Sequence, residues 1–344
     1  MASSPITEMP GIFDPSGVGQ IRVVDYPKVQ EAAYTYKRKH GIKHISQDQE
    51  RTALILVDNQ ITFCNSTHGE LPVAGAEADC RRLCEFIYRE CGNITEIVAT
   101  MDSHRSMQIF HPCFLIDDNG AHPGPADNPI MLDAILAGKW RVNPELAYTL
   151  ANGDVAFLER HLTHYAGKLA QSDKAALMIW PYHAMLGGIG HALEPSIAEA
   201  AFFWGRARGG EVNFDIKGLH PLTEYYSVLC PEVTTTIDSH GAEVALPGAQ
   251  WNTRTLERLS KFDRVIIAGE AKSHCVAWTI DNLLGWLMTK DPELVKKVYL
   301  LEDCTSPVVI PGVIDFTASA NAAFDKFKAK GCHVVNSTTP MMNW

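Results

Sequence analysis

Ala53-Leu54-Ile55-Leu56-Val57 is an unbroken apolar run that ends on Asp58. A strand with one face in water alternates apolar and polar residues, so a short continuous run suits a strand buried on both faces. Strand-like runs recur at 95–100, Val212–Lys217, 264–268, Val298–Leu301 and His333–Val335. Between them lie stretches with helical spacing. In 75–91, Ala76, Leu83, Phe86 and Ile87 can share one face; 189–204 and 313–329 also read as helices. Strands alternating with helices imply a three-layer α/β/α fold with a mostly parallel central sheet. Right-handed crossovers follow as the default, and ligands gather at the carboxyl ends of such strands.

Two segments break the rhythm. Residues 1–50 are polar with scattered Pro and Gly and read as an extended N-terminal arm, with some helix near 29–37. Within the domain at 51–344, residues from about 117 to 174 form an insertion. It is rich in Asn, Asp, Gly and Pro at first, then helical at 146–150 and 155–169. The pattern leaves open whether the insertion is a lid, an oligomer contact or a brace.

Composition excludes several function classes. The chain has 344 residues, 46% apolar, and a formal net charge of -10. With an acidic balance and no Lys/Arg run longer than Lys37-Arg38-Lys39 it offers no basic patch for phosphate, so no nucleic-acid partner is expected. It has no basic amphipathic segment and no apolar stretch of the roughly 18 residues a span needs, so no membrane partner is expected. Nine cysteines form neither a CxxC pair nor a regular framework, and residues 1–20 carry no signal-peptide pattern. The expectation is a reduced, cytoplasmic protein that forms a homo-oligomer.

Reactive side chains cluster at strand ends. Asp58 ends the first run, Asp102 and His104 follow the second, Lys217 ends a later one, and Cys275 follows the run at 264–268. Cys275 reads either as a small buried apolar residue or as a thiolate. For the second, Ser273 would cap the helix and place Cys275 in its first turn, where the dipole favours negative charge. Asp58 is either a strand-end turn former or a general base, and Lys217 either a solvated lysine or a cation supporting the sulfur. Asp102 and His104 can point to one side of an extended segment, with His111 and His183 further along; carboxylate and imidazole suit Zn, Fe or Mn. These histidines read equally as surface residues, and His122, His161, His164, His191, His220 and His240 are assigned to surface or loops.

Taken together, five segments resemble the nicotinamidase branch of the isochorismatase-like cysteine hydrolases, in that family's order, over roughly 52–335. They are ALILVDNQITFC, TMDSH, WPYHAMLGGIGHAL, IKGLHPLTEYYS and VIIAGEAKSHCVAWT. The resemblance implies Cys275 as nucleophile, Asp58 as general acid/base and Lys217 as the third member. It implies Asp102, His104 and His183 as ligands of a divalent metal ion, with His111 supplementing them as in some relatives. Phe63, Trp180 and Tyr226 match aromatic walls around a flat ring. A cis peptide is implied at Glu270-Ala271, with the N–H groups of Ala271 and Cys275 as the oxyanion hole.

The chain departs from that pattern at Thr62, Ser103 and Ala184 and in Glu270-Ala271-Lys272-Ser273. The implied function is hydrolysis of a small-molecule amide, nicotinamide to nicotinate and ammonia, through an acyl-enzyme. The alternatives are another amidase of the family acting on a carbamoyl or ureido group, a vinyl-ether hydrolase of the isochorismatase kind, and a catalytically silent binding protein. The cysteine position counts against the vinyl-ether reading.

Overall fold

The computed structural model describes residues 4–172, 176–310, 312 and 314–344. The apolar runs form six strands: β1 Thr52–Val57, β2 Glu96–Asp102, β3 Val212–Lys217, β4 Arg264–Gly269, β5 Val298–Leu301 and β6 His333–Val335. They lie in the order β6-β5-β4-β1-β2-β3, and every neighbouring pair is parallel. The order reverses between β1 and β4. At such a switch point the connections leave in opposite directions and open a crevice at the strands' carboxyl ends.

Six longer helices cover the sheet: α1 Tyr26–His40, α2 Ala76–Arg89, α3 Val155–Ala170, α4 Pro195–Arg208, α5 Ala277–Lys290 and α6 Thr317–Ala329. The period of two along β1 separates two cores. Ala53, Ile55 and Val57 pack with Ile267, Leu158, Ile280 and Leu283 on one face. Leu54 and Leu56 pack with Val29, Leu83, Ile266 and Trp204 on the other. The architecture is therefore α/β/α, as the apolar runs imply.

Three segments differ from the sequence reading. The N-terminal region carries a fifteen-residue helix, α1, longer than the 29–37 expected within an extended arm. Asp25 caps it by accepting from the Lys28 N–H, and Gly41 ends it at φ 62. Val29, Ala33 and Tyr36, spaced on one face, are buried. The helix expected over 189–204 begins only at Pro195, because Glu194 caps it through the N–H groups of Ser196 and Ile197; 189–191 is a separate 3-10 turn. The helix expected from 313 begins at Thr317. Ile314–Asp315 instead pairs antiparallel with Val309–Ile310, and Asp315 accepts from the Thr317 N–H at 2.8 Å; position 313 lies outside the described residues, as do 173 and 174 of the insertion.

No helix among the described residues is long and apolar enough to cross a membrane.

Candidate active site

Strand register builds the centre. Asp102 and Lys217 are partners on the last rung of β2 and β3. Val57 and Gly269 are partners at the ends of β1 and β4, which sets Asp58 beside the turn that carries Cys275. Gly269 has φ 118, and a Cβ there would stand 2.1 Å from the Val57 carbonyl oxygen, so only glycine fits. Asp58 takes φ 47. That left-handed conformation is uncommon outside glycine, though aspartate tolerates it, and it turns the chain sharply at the strand end.

Lys217 is the hub. Its Nζ lies 2.8 Å from Asp102 Oδ1, 3.0 Å from Asp58 Oδ2, 2.9 Å from the Tyr225 carbonyl oxygen and 3.6 Å from Cys275 Sγ. Asp58 Oδ1 accepts from Thr100 Oγ1 at 2.5 Å, and the Asp58 N–H donates to the same hydroxyl at 3.0 Å. Asp58, Lys217 and Cys275 are 0%, 3% and 8% exposed. Burial acts against each charge. It pushes the Cys275 thiol well above its ordinary value, which the Lys217 ammonium only partly offsets and Asp58 and Asp102 reinforce. It raises Asp58, again with Lys217 opposing. For Lys217 burial would lower the pKa, but Asp102 and Asp58 outweigh it and hold the amine charged.

The turn carrying the sulfur differs from the capped helix start read from the sequence. The Glu270-Ala271 peptide is cis. Lys272–Val276 is a π-helical turn whose Ala271 carbonyl accepts from the N–H groups of His274 and Val276. Ser273 is not the cap: its hydroxyl accepts from the Val308 N–H at 3.0 Å and meets His274 Nδ1 at 2.8 Å. Cys275 thus sits in the π-helical turn before α5 rather than in the first turn of a helix capped by Ser273.

A histidine cluster adjoins this centre. The ligating atoms of His104, His111 and His183 all lie within 4.8 Å of one another. Asp102 reaches into the same space, with Oδ1 3.1 Å from His104 Nε2 and Oδ2 3.6 Å from His183 Nε2. Nδ1 of His104 donates to the His183 carbonyl and Nδ1 of His183 to the Pro181 carbonyl, which leaves both Nε2 lone pairs for the centre. Ligating histidines are held in this way. Both ring nitrogens of His111 are buried without a hydrogen-bond partner. Burial lowers His111 to about 4 and His183 to about 3, keeping both neutral. For His104 burial would lower the pKa, but Asp102 outweighs it and raises it. Imidazoles around a carboxylate suit a divalent cation such as Zn, Fe or Mn.

Both groups meet one cavity of about 50 Å³. Phe63, Trp180 and Tyr226 line it, with Asp102, His183, Lys217, Ala271 and Cys275 at its polar end. Trp180 Nε1 donates to the Tyr226 hydroxyl at 3.1 Å, which fixes one ring against the other. Asp58, His104 and His111 are not part of the cavity's lining. A larger cavity of about 410 Å³ opens near Thr52, Arg89 and Arg264, at the opposite end of the strands, and its lining contains no cysteine.

Two further residues of the site escaped the sequence reading. Glu224 lines the cavity and is pushed up to about 7, chiefly by burial, with His104 opposing and Asp102 reinforcing the rise. His274 also lines it, against Trp180 and Tyr226. A carboxylate inside the apolar stretch 222–229 was the available signal for the first. His161, assigned to the surface, is fully buried.

The departures from the family pattern have local explanations. Thr62 and Ala184 meet each other, the hydroxyl accepting from the Ala184 N–H at 3.1 Å. Ser103 Oγ pairs with His191 Nε2 at 2.7 Å. Lys272 donates to Asn321 at 2.9 Å and lies 3.3 Å from Glu302, so it ties the turn to α6.

Fold and site together define an α/β/α protein with a buried cysteine, lysine and aspartate beside a histidine cluster. No family model matches the sequence, and no curated protein matches it. Solved structures do. A nicotinamidase/pyrazinamidase of Acinetobacter baumanii is 18% identical, with TM-score 0.47, covering 85% of this chain and 98% of that one. The yeast nicotinamidase is 18% identical, with TM-score 0.48, covering 83% and 99%. A pyrazinamidase of Pyrococcus horikoshii, in complex with zinc, is 18% identical, with TM-score 0.43, covering 83% and 99%. At such identities these likenesses bear on no residue's role.

Proposed function

We propose that this chain is a cysteine amidohydrolase that holds a divalent metal ion and cleaves a small planar carboxamide, nicotinamide foremost, to the acid and ammonia. One observation carries the reading: Lys217 Nζ stands within 3.6 Å of Cys275 Sγ and within 3.0 Å of Asp58 in a cavity walled by aromatic rings.

Phe63, Trp180 and Tyr226 hold the flat ring and bring its carboxamide carbon to Cys275 Sγ. Asp58 takes the thiol proton as the sulfur attacks, so charge never rests on a buried sulfur alone. The carbon–sulfur bond forms and the carbonyl π pair moves onto oxygen, where the N–H groups of Ala271 and Cys275 receive it. Removing one such donor costs about 2.7–4 kcal/mol in other enzymes. Collapse breaks the carbon–nitrogen bond, and Asp58 returns its proton to the departing nitrogen. Water then attacks the thioester with Asp58 taking its proton; the carbon–sulfur bond breaks, Asp58 returns that proton to the Cys275 sulfur, and the acid leaves. Lys217 stays charged throughout and orients Asp58 toward the sulfur. Asp102, His104 and His183, with His111, would hold the metal ion, which supplies a Lewis-acid contact for a ring nitrogen of the substrate. The buried, unpaired nitrogens of His111 support that role.

The test is ammonia release across a panel of carboxamides, for the parent and for Cys275→Ala. The parent is expected to turn over nicotinamide, and the variant to lose turnover with its unfolding midpoint kept. A folded parent that releases no ammonia from any carboxamide overturns the reading.

A further inference from the structure

Helix α3, in the insertion, places two polar side chains on a buried face. His161 and Tyr165 are one turn apart and 0% and 1% exposed, among Leu158, Leu162, Ala166 and Leu169. Both reach the backbone of one loop. His161 Nε2 lies 2.7 Å from the Leu222 carbonyl oxygen, which can only accept, so this nitrogen carries the proton. Nδ1 then accepts from the Thr236 hydroxyl at 2.9 Å. The Tyr165 hydroxyl accepts from the Glu224 N–H at 3.3 Å.

That loop delivers two parts of the site. The Tyr225 carbonyl receives Lys217 Nζ at 2.9 Å, and Tyr226 forms an aromatic wall. We propose that α3 is a brace for the reaction centre: His161 and Tyr165 fix the backbone of 222–226 and thereby position Lys217 against Cys275 and Tyr226 against the substrate. Resting on the functional reading above, the proposal assigns the insertion a task and makes His161 and Tyr165 positioning residues.

Geometry separates this role from core filling. Apolar packing is non-directional, and leucine at position 161 would serve it. A hydrogen bond fixes a carbonyl within a few tenths of an ångström. Catalysis needs that accuracy, since a displacement of about 1 Å from a remote change can cost on the order of a hundredfold.

The variants are Tyr165→Phe, which keeps the ring, His161→Leu, which removes both hydrogen bonds, and His161→Gln, whose amide can still donate to Leu222. The first readout is the rate at which iodoacetamide alkylates Cys275 in the native protein at pH 7, followed on the peptide that contains it. A loosened Lys217 stabilises the thiolate less, so Y165F and H161L are expected to slow alkylation about fivefold to tenfold, and H161Q to stay within about twofold of the parent. The second readout is kcat on the amide, expected to fall about tenfold in the same two variants. Folded Y165F and H161L proteins whose sulfur reacts at the parental rate, or faster because a slackened core exposes it, overturn the brace. Alkylation needs no turnover, so failure to find an amide substrate would sink the functional reading and leave this result legible.

Discussion

Asp102 and Lys217 close the last rung of the sheet between β2 and β3, with Oδ1 and Nζ 2.8 Å apart. The same carboxylate faces His104 and His183, and the same ammonium faces Asp58 and Cys275. One ion pair therefore joins the nucleophile's surroundings to the histidine cluster. Gly218, at φ 83, leaves the room: a Cβ there would stand 3.0 Å from both Asp102 Oδ1 and the His104 ring.

Lys217→Met should damage both halves. It leaves Asp58 and Asp102 buried with no ammonium between them, and such a loss typically costs about 3–5 kcal/mol. It also removes the partner that holds Asp102 ready as a ligand, which elsewhere weakens metal affinity about 10–100-fold. Urea unfolding and a zinc titration measure the two effects. A variant as stable as the parent, with unchanged zinc affinity, would show that the ion pair does not organise the centre.

Glu270 should set the pose of the Ala271 N–H. Its own N–H donates to the Val57 carbonyl at 2.8 Å, and its Oε2 accepts from the Ser306 N–H at 3.2 Å. Ser306 in turn accepts from the Lys272 N–H at 2.8 Å. Burial, with Asp79 nearby, pushes the Glu270 carboxyl well up. Glu270→Gln keeps an acceptor for the Ser306 N–H and should leave kcat within about twofold. Glu270→Ala strands the Ser306 N–H and should lower kcat about tenfold or more with KM little changed. Steady-state kinetics on the two variants decide it, and a parental kcat in E270A would refute the clamp.

The sequence shows where chemistry sits better than what surrounds it. Period and run length expose β1, β4 and β5 because buried parallel strands have nowhere to place polar residues. Asp58, Lys217 and Cys275 are legible for a related reason: a reactive side chain directly after such a run lands on the crevice edge. The Asp25 cap, Pro27 and Gly41 around α1 are equally local signals, but the polar composition of 1–50 obscures them. Glu270 and His161 were not legible, and Glu224 showed only as a carboxylate within 222–229. Their importance comes from burial, and burial is decided by segments far apart in the chain. Ser273 shows the converse. It has the chemistry of a cap, but its hydroxyl is taken by Val308, thirty-five residues on.

Two glycines should respond oppositely to one methyl group. Gly269→Ala drives a Cβ to 2.1 Å from a backbone oxygen at φ 118, and both strain and overpacking should cost about 3 kcal/mol or more. Gly285 lies exposed inside α5, with nothing within 4 Å of its would-be Cβ. There the same change should add up to about 1 kcal/mol through helix propensity. Thermal melts of both variants test the pair. A harmless Gly269→Ala would mean that β1 and β4 do not close as tightly as Val57 and Gly269 indicate.

His161 should make the protein acid-sensitive. Burial lowers its pKa from 6.5 to about 4, with the Leu222 carbonyl opposing that shift only in part. A depressed pKa means that the unfolded chain takes up the proton first. Stability is therefore complete above pH 6.5 and falls as the pH drops toward about 4, below which this group's contribution is gone. The shift corresponds to about 3 kcal/mol over that window. Other buried histidines add slopes of their own, so the informative quantity is the difference between parent and His161→Gln. Urea unfolding at pH 7 and pH 4.5 should show the parent losing more stability than the variant, by roughly 2–3 kcal/mol. Equal losses would mean that His161 already carries its proton when folded, with two donors facing a carbonyl and a hydroxyl, and that its hold on the Leu222 loop differs from the one described.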